Sequence, residues 1–372
     1  MPQAAIGGTI IIHKTPHAYS SHVCITRLLN GTWLAAFSQS IQSDPYKHPP
    51  GDPLFRDLIV RSHDEGRSWD QPRVVPDYDW YGVEVPGIAQ ISTGEVLLNQ
   101  WRFLWFPLEL ARKLTKSRER QCCFRDVRAG EWRPAKSDAD WEAHPYPYAR
   151  ADGGAYVHIS TDNGYTWDHT VSVSIDPYQG AFSPKGAIEL RNKDVLLALG
   201  SHSYDPLGAS FVVRSKDRGR TWEKPVEAAR LGGFPFSEPS VTETSAGKLL
   251  LMSREEITGF IYQSESEDGG LTWAPPRKLD LWGCPTHCIT LKDGRILIVY
   301  GRRRAPYGIR ASLSEDEGST WGEEIVIRDD FPNDNLGYPS VIEYEDAKLF
   351  TAYYGEDSDG ITCIQGTYFS VL

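Results

Sequence analysis

No stretch of this 372-residue sequence is apolar for long enough to cross a bilayer, and the opening MPQAAIGGTIIIHKTPHAYSS lacks the basic segment and apolar core of a secretory leader. The chain is therefore read as soluble and cytoplasmic. No Lys/Arg-rich run of the nucleic-acid-binding kind stands out, and 50 acidic against 39 basic residues leave a formal charge of -11, which repels phosphate backbones, so nucleic acid is not an expected partner. The six cysteines follow no regular spacing, and the adjacent Cys122 and Cys123 make a poor disulfide pair, so free and mostly buried thiols are expected. In the run Cys284-Pro285-Thr286-His287-Cys288 the alternation of a strand sends neighbours to opposite faces, so no metal site and no cofactor are expected. Methionine is almost absent, at 2 residues, whereas 12 Trp, 18 Tyr, 13 Phe, 33 Gly and 25 Pro describe an all-β protein with many turns.

What is present is repetition. The pattern Ser-x-Asp-x-Gly-x-Ser/Thr-Trp occurs at Ser62 to Trp69, Ser160 to Trp167, Ser215 to Trp222, Ser266 to Trp273 and Ser314 to Trp321. Each copy follows a strand-like run such as SFVVR or GIRAS, and its chemistry suits a hairpin turn. The Asp accepts backbone N–H bonds, the Gly supplies a positive φ, and the Trp folds back onto apolar surface. A carboxylate needed five times over is a folding device rather than a catalytic acid. Before each box lies a second repeat, an apolar strand, a turn and another apolar strand: SHVCITRLLNGTWLAAF, VPGIAQISTGEVLLNQW, SPKGAIELRNKDVLLALG, EPSVTETSAGKLLLMSR, CPTHCITLKDGRILIVYG and YPSVIEYEDAKLFTAYY. Six such hairpins imply six blades of a propeller.

The five-fold pattern resembles the Asp-box, or BNR repeat, of the sialidase superfamily, and the resemblance extends over the whole chain. It implies a six-bladed β-propeller occupying residues 1–372 as a single domain. The last unit has no box. The N-terminal strand TIIIHK is expected to pair with the C-terminal ITCIQGTYFSVL and complete that blade, which hides sheet edges. Strand direction then places the boxes on the bottom face and the inner-strand starts and 2-3 loops on top. One top position per blade follows: Ser21, Val85, Ser183, Glu238, Cys284 and Tyr338. The 2-3 loops add Asp44, Asp52, Arg102, His202, Arg254 and Arg302 to Arg304. The segment from about 103 to 150 is a long top-face insertion, with a short basic helix in FPLELARKLTKSRER and a candidate sugar-binding rim of Trp132, Trp141, Tyr146 and Tyr148.

Within that resemblance, sialidases carry a Glu at one blade start and an Arg further along the same blade, positions filled by Glu238 and Arg254. Arg310 matches a binding Arg that leads into a late Asp-box, Tyr338 matches a catalytic Tyr, and Asp52 matches an acid in the first blade, with Asp44 as its rival. A sialic acid carries a carboxylate on its anomeric carbon, and a neutral tyrosine approaches it where a carboxylate would meet like charge. Such a tyrosine needs a base to take its proton. The resemblance thus implies a retaining exo-glycosidase on a terminal, acidic sugar: Tyr338 as nucleophile, Glu238 as base, Asp52 as acid, and Arg254, Arg310, His22, Arg102 and Arg302 as substrate-binding residues. The expected partner is a glycan. The pattern departs from the family in one place, since Ser21-His22-Val23 stands where sialidases have an arginine, and Arg56 is a possible substitute. The alternatives are a lyase or another propeller glycosidase with His22, His202 or His287 as base, and a glycan-binding propeller without catalysis. For Arg254 and Arg310 the plain alternative is pairing with acidic residues such as Glu255 or Glu256.

Overall fold

The computed structural model describes residues 4–42, 51, 53–76, 81–202 and 205–372. Its strands form six sheets, each ordered from an inner to an outer strand, arranged as the six blades of an all-β propeller. Blade 1 comprises Ala18–Arg27, Trp33–Ile41, Arg56–Ser62 and Arg73–Val74. Blade 4, the most regular, comprises Phe236–Glu243, Leu249–Glu255, Phe260–Ser266 and Arg277–Trp282. In blade 6 the strands Gly337–Glu345, Lys348–Glu356 and Thr362–Val371 are completed by Ala4–His13. That first strand pairs antiparallel with the last, from Ala4 opposite Val371 to His13 opposite Ile364, and closes the ring.

The second strand of each blade reads as a continuous apolar run because both of its faces are buried. In blade 4, Leu249 and Leu251 pack toward blade 3, and Leu250 and Met252 pack toward blade 5. The same alternation all round the ring produces cores between neighbouring blades, with the Asp-box tryptophans Trp69, Trp167, Trp222, Trp273 and Trp321 lying against five of them.

The boxes sit on the hairpins between third and fourth strands. In the first, Asp64 Oδ1 accepts from the Ser62 hydroxyl at 2.8 Å and the Ser68 N–H at 2.9 Å, while Oδ2 accepts from the Ser68 hydroxyl at 2.6 Å. In four of the five boxes the turn also binds the third strand of the preceding blade. Gln263 donates to the Gly318 carbonyl at 2.9 Å and Tyr368 to that of Glu65 at 2.8 Å, and Arg61 and Arg214 donate to the carbonyls of Gly164 and Gly269. The repeated motif therefore ties blade to blade as well as closing its own turn.

In blade 2 the second and third strands, Val96–Pro107 and Tyr148–Ser160, run on past the ring and carry a subassembly between them. It holds the helices Leu108–Ser117 and Asp138–Glu142 around the hairpin of Cys123–Asp126 and Glu131–Pro134. Trp132 and Trp141 are buried in its interior, so they build the insertion and do not form the expected rim. Tyr146 and Tyr148 are half-buried and stacked, with ring centroids 5.3 Å apart. All six cysteines are buried. Among the described residues no helix is long and apolar enough to cross a membrane.

Candidate active site

The inner strands bend at a shared position. Their ladders slip between Ser21 and Cys24, Glu84 and Gly87, Ser237 and Ser240, and Gly337 and Ser340. Inside each slip one residue without glycine's freedom adopts a left-handed φ: His22 at 53°, Val85 at 54°, Glu238 at 48° and Tyr338 at 49°. Such bulges re-aim a side chain, and bulky residues in this region store strain that the surrounding structure must enforce. The equivalent position in blade 1 is thus His22, one residue beyond the Ser21 that counting along the strand suggests. The second strands make room for the bend: a Cβ on Gly200 would lie 2.7 Å from the Glu238 nitrogen.

The bends bring three blades together. Tyr338 Oη donates to Glu238 Oε1, from blade 6 to blade 4. Arg254, opposite Ser237 on the neighbouring strand, donates through Nη1 to Glu238 Oε2 at 2.8 Å. The His22 ring meets the Tyr338 ring edge-on at 4.0 Å, and Tyr354 lies 6.0 Å from Tyr338. Tyr338, Glu238, His22 and Tyr354 are all buried. Burial pushes the Tyr338 phenol well above its ordinary range and the Glu238 charge adds to this, whereas Arg254 and Arg303 act the other way. The phenol is therefore protonated at neutral pH and donates its hydrogen bond to Glu238.

Two residues that the sequence reading left in the background belong to this cluster. Arg303 donates to the Leu336 carbonyl at 2.9 Å and the Tyr354 hydroxyl at 3.1 Å, with its guanidinium 5.6 Å from the Tyr338 ring centre. Glu256 pairs with Arg254 Nη2 at 3.1 Å and accepts from the Ser237 hydroxyl. Burial raises the Glu256 carboxyl; Arg254 opposes that shift and Glu238 reinforces it. Lys185 was not foreseen either. It is buried at the start of blade 3 and donates to the Pro339 carbonyl at 2.8 Å, directly after Tyr338. Burial lowers its ammonium to about 8, against the opposing pull of Cys24 and Glu238.

Other expected residues have different partners. Arg310 is buried in blade 5, where it pairs with Glu324 at 3.2 Å and donates to the carbonyls of Ile309, Arg328 and Pro306. Arg302 pairs with the same Glu324 at 3.5 Å. Arg102 is buried in blade 2, 2.9 Å from His158 Nε2 and over the Tyr156 ring at 4.6 Å. Arg56 donates to the carbonyls of Pro53 and Phe55 at 2.7 and 2.8 Å. Asp44 and Asp52 lie outside the described residues. Of the histidines, His287 Nδ1 accepts the Val341 N–H at 2.9 Å, and burial holds its pKa well below the ordinary value, with Lys185 adding to the effect. His202 faces Arg150 at 3.3 Å and is likewise held neutral, first by burial and then by that arginine. No cluster of three or more His, Cys, Asp or Glu that could hold a metal ion is found among the described residues.

A ring of six blades, five of them carrying an Asp-box, with a Tyr–Glu–Arg cluster where the inner strands bend, defines a propeller related to sialidases. The BNR repeat-like domain family matches residues 148–351, and the chain belongs to that family. It is 32% identical to a sialidase of Micromonospora viridifaciens over 134 residues, which cover 32% of this chain and 20% of that protein. The chain thus spans about a fifth of its curated relative. Among solved structures, a protein of unknown function from Dyadobacter fermentans superposes with a TM-score of 0.84 at 22% identity, covering 100% of both chains. The NanB sialidase from Streptococcus pneumoniae superposes at 0.69 with 14% identity, over 98% of this chain and 70% of that one. At such identities the two structures speak for the fold.

Proposed function

We propose that the protein is a retaining exo-glycoside hydrolase that removes a terminal sugar from a glycan, with Tyr338 as nucleophile and Glu238 as its base. The observation that carries this reading is the chain of bonds from Arg254 through Glu238 to the Tyr338 hydroxyl, in a buried cluster where three blades meet. A phenol with an ordinary pKa of about 10 attacks poorly at neutral pH, and a carboxylate already bonded to its proton removes that obstacle.

In the first step the Tyr338 oxygen bonds to the anomeric carbon while the bond to the leaving oxygen breaks. The phenolic proton passes to Glu238, and an acid, in this reading Asp52, protonates the leaving group. In the second step that residue, now a carboxylate, takes a proton from water. The water oxygen displaces Tyr338, whose phenolate recovers its proton from Glu238. Two inversions give net retention. Arg254 orients Glu238 throughout through its Nη1 hydrogen bond. A reaction with His287 or His202 as base fits less well, because His287 already uses Nδ1 on a backbone N–H and His202 faces a guanidinium.

The test is release of an aryl leaving group from a panel of α-linked glycosides, neutral and acidic, by the wild-type chain, Tyr338→Phe and Glu238→Gln. The expected outcome is turnover of at least one glycoside that falls about 10³-fold or more in both variants, the scale of lost nucleophilic and general-base catalysis. Undiminished turnover in Tyr338→Phe would refute the reading, and binding without turnover in the wild type would make the protein a lectin-like propeller.

A further inference from the structure

The charge balance around Arg254 bears on the sugar itself. A guanidinium grips a carboxylate with two parallel N–H bonds, and it needs a free edge to do so. Both terminal nitrogens of Arg254 are taken by the protein's own carboxylates, Nη1 by Glu238 at 2.8 Å and Nη2 by Glu256 at 3.1 Å. Glu256 is held in place by the Ser237 hydroxyl and by its own N–H, which donates to the Pro235 carbonyl at 3.2 Å. Its side chain keeps 22% exposure.

The remaining cations do not make up the loss. Blade 1 presents His22, Arg310 is committed within blade 5, and Arg303 is bonded to Leu336 and Tyr354. At the Arg254–Glu256 edge two guanidiniums, Arg254 and Arg303, balance two carboxylates, Glu238 and Glu256, while the further cation, Lys185, lies at the start of blade 3 with its ammonium on the Pro339 carbonyl. An incoming carboxylate at that edge would be a third anion beside two guanidiniums. It would have to expel Glu256 from Arg254 and break the Ser237 bond, leaving a displaced carboxylate partly out of water without its partner.

We propose that Glu256 is the specificity-determining residue of the site, standing where a substrate carboxylate would bind and selecting an uncharged terminal sugar whose hydroxyls donate to it. This rests on the glycosidase reading but changes its substrate class from the acidic sugar that the family resemblance implies to a neutral pentose, hexose or deoxyhexose. It also keeps the physical reason for a tyrosine nucleophile. The like charge that disfavours a carboxylate at position 338 is supplied by Glu256 and Glu238 instead of by the substrate.

The experiment is calorimetric binding of methyl glycosides to the full chain, with arabinose, rhamnose and galactose as neutral probes and sialic acid and glucuronic acid as acidic ones. Wild type, Glu256→Gln and Glu256→Ala are compared, with thermal melts to show that each folds. The expected result is at least one neutral glycoside bound tenfold or more tightly than either acidic one, and a shift of that ratio toward the acidic sugars by tenfold or more in both variants. Tighter binding of an acidic glycoside by the wild type, a ratio unmoved in both variants, or no sugar binding at all overturns the proposal. Because binding needs no turnover, an acidic preference combined with Tyr338-dependent cleavage sinks the role of Glu256 and spares the mechanism. The predicted preference with cleavage that survives Tyr338→Phe does the reverse.

Discussion

Arg303 and Arg310 flank one hairpin loop of blade 5 and serve different ends. The guanidinium of Arg303 lies 5.6 Å from the ring centre of Tyr338, whereas that of Arg310 is buried against Glu324 and three backbone carbonyls. Their replacement should separate function from stability. Arg303→Ala is expected to lower kcat/KM about 10²-fold on the best substrate with a small change in melting temperature. Arg310→Ala is expected to destabilise the fold by about 3 kcal/mol, since it strips a buried ion pair and leaves carbonyl groups unsatisfied. Parallel kinetics and urea titrations check both; the reverse pattern would return Arg310 to the substrate.

The boxes should set the acid limit of the fold. Hydroxyl and amide hydrogen bonds from Ser68 hold Asp64 at about 2, those from Thr320 hold Asp316 at about 2, and Thr272 lowers Asp268 in the same way. A carboxylate whose folded pKa lies below its unfolded value contributes stability above the unfolded pKa and loses it as the pH falls through the folded one. Urea midpoints should therefore hold down to about pH 4 and drop between about pH 4 and pH 2. Asp64→Asn combined with Asp316→Asn should flatten that limb.

The opposite limit belongs to buried phenols. Burial raises Tyr178 and Tyr368 to about 12 and shifts Tyr338 in the same direction. For groups raised in the folded state the stabilisation is full below the unfolded pKa of about 10 and is lost as the pH climbs past it. Alkaline unfolding above about pH 10, followed by the tyrosinate absorbance, should coincide with loss of far-ultraviolet signal rather than precede it.

Gly318 should tolerate no side chain. Its φ of +81° is one that glycine adopts freely, and an added Cβ would lie 2.4 Å from a Leu250 methyl in the preceding blade. Gly318→Ala is expected to cost about 2–3 kcal/mol, through backbone strain and displaced core packing, as measured by chemical denaturation. A loss below about 0.5 kcal/mol would mean that the box turn does not depend on this contact.

The fold was legible because its signals recur. Five boxes and six apolar hairpins state the same local chemistry repeatedly, and the ring follows from strand order alone. The site was legible only in part. Glu238, Arg254 and Tyr338 were found by their place in a matched pattern, and the structure brings these three together. His22 was displaced by one residue from the counted position because the bulge that turns it inward has a left-handed φ without a glycine to announce it. Among the three consecutive arginines 302–304, strand alternation fails just where the strand ends at Arg302, so the choice of Arg303 needed tertiary contacts. Glu256 lies just past the strand that carries Arg254, which ends at Glu255, so strand alternation does not place it and its pairing with Arg254 needed tertiary contacts. Lys185 carries no local signal, since an isolated lysine in a strand-like run reads as exposed.

The most direct test of the central claim is to incubate the protein with an activated fluorosugar of whichever class it cleaves and to map the adduct by peptide mass spectrometry. The account predicts one added glycosyl group on the peptide containing Tyr338, absent from Tyr338→Phe and formed far more slowly in Glu238→Gln. Turnover of the same sugar with no covalent adduct, or an adduct on another residue, would contradict it.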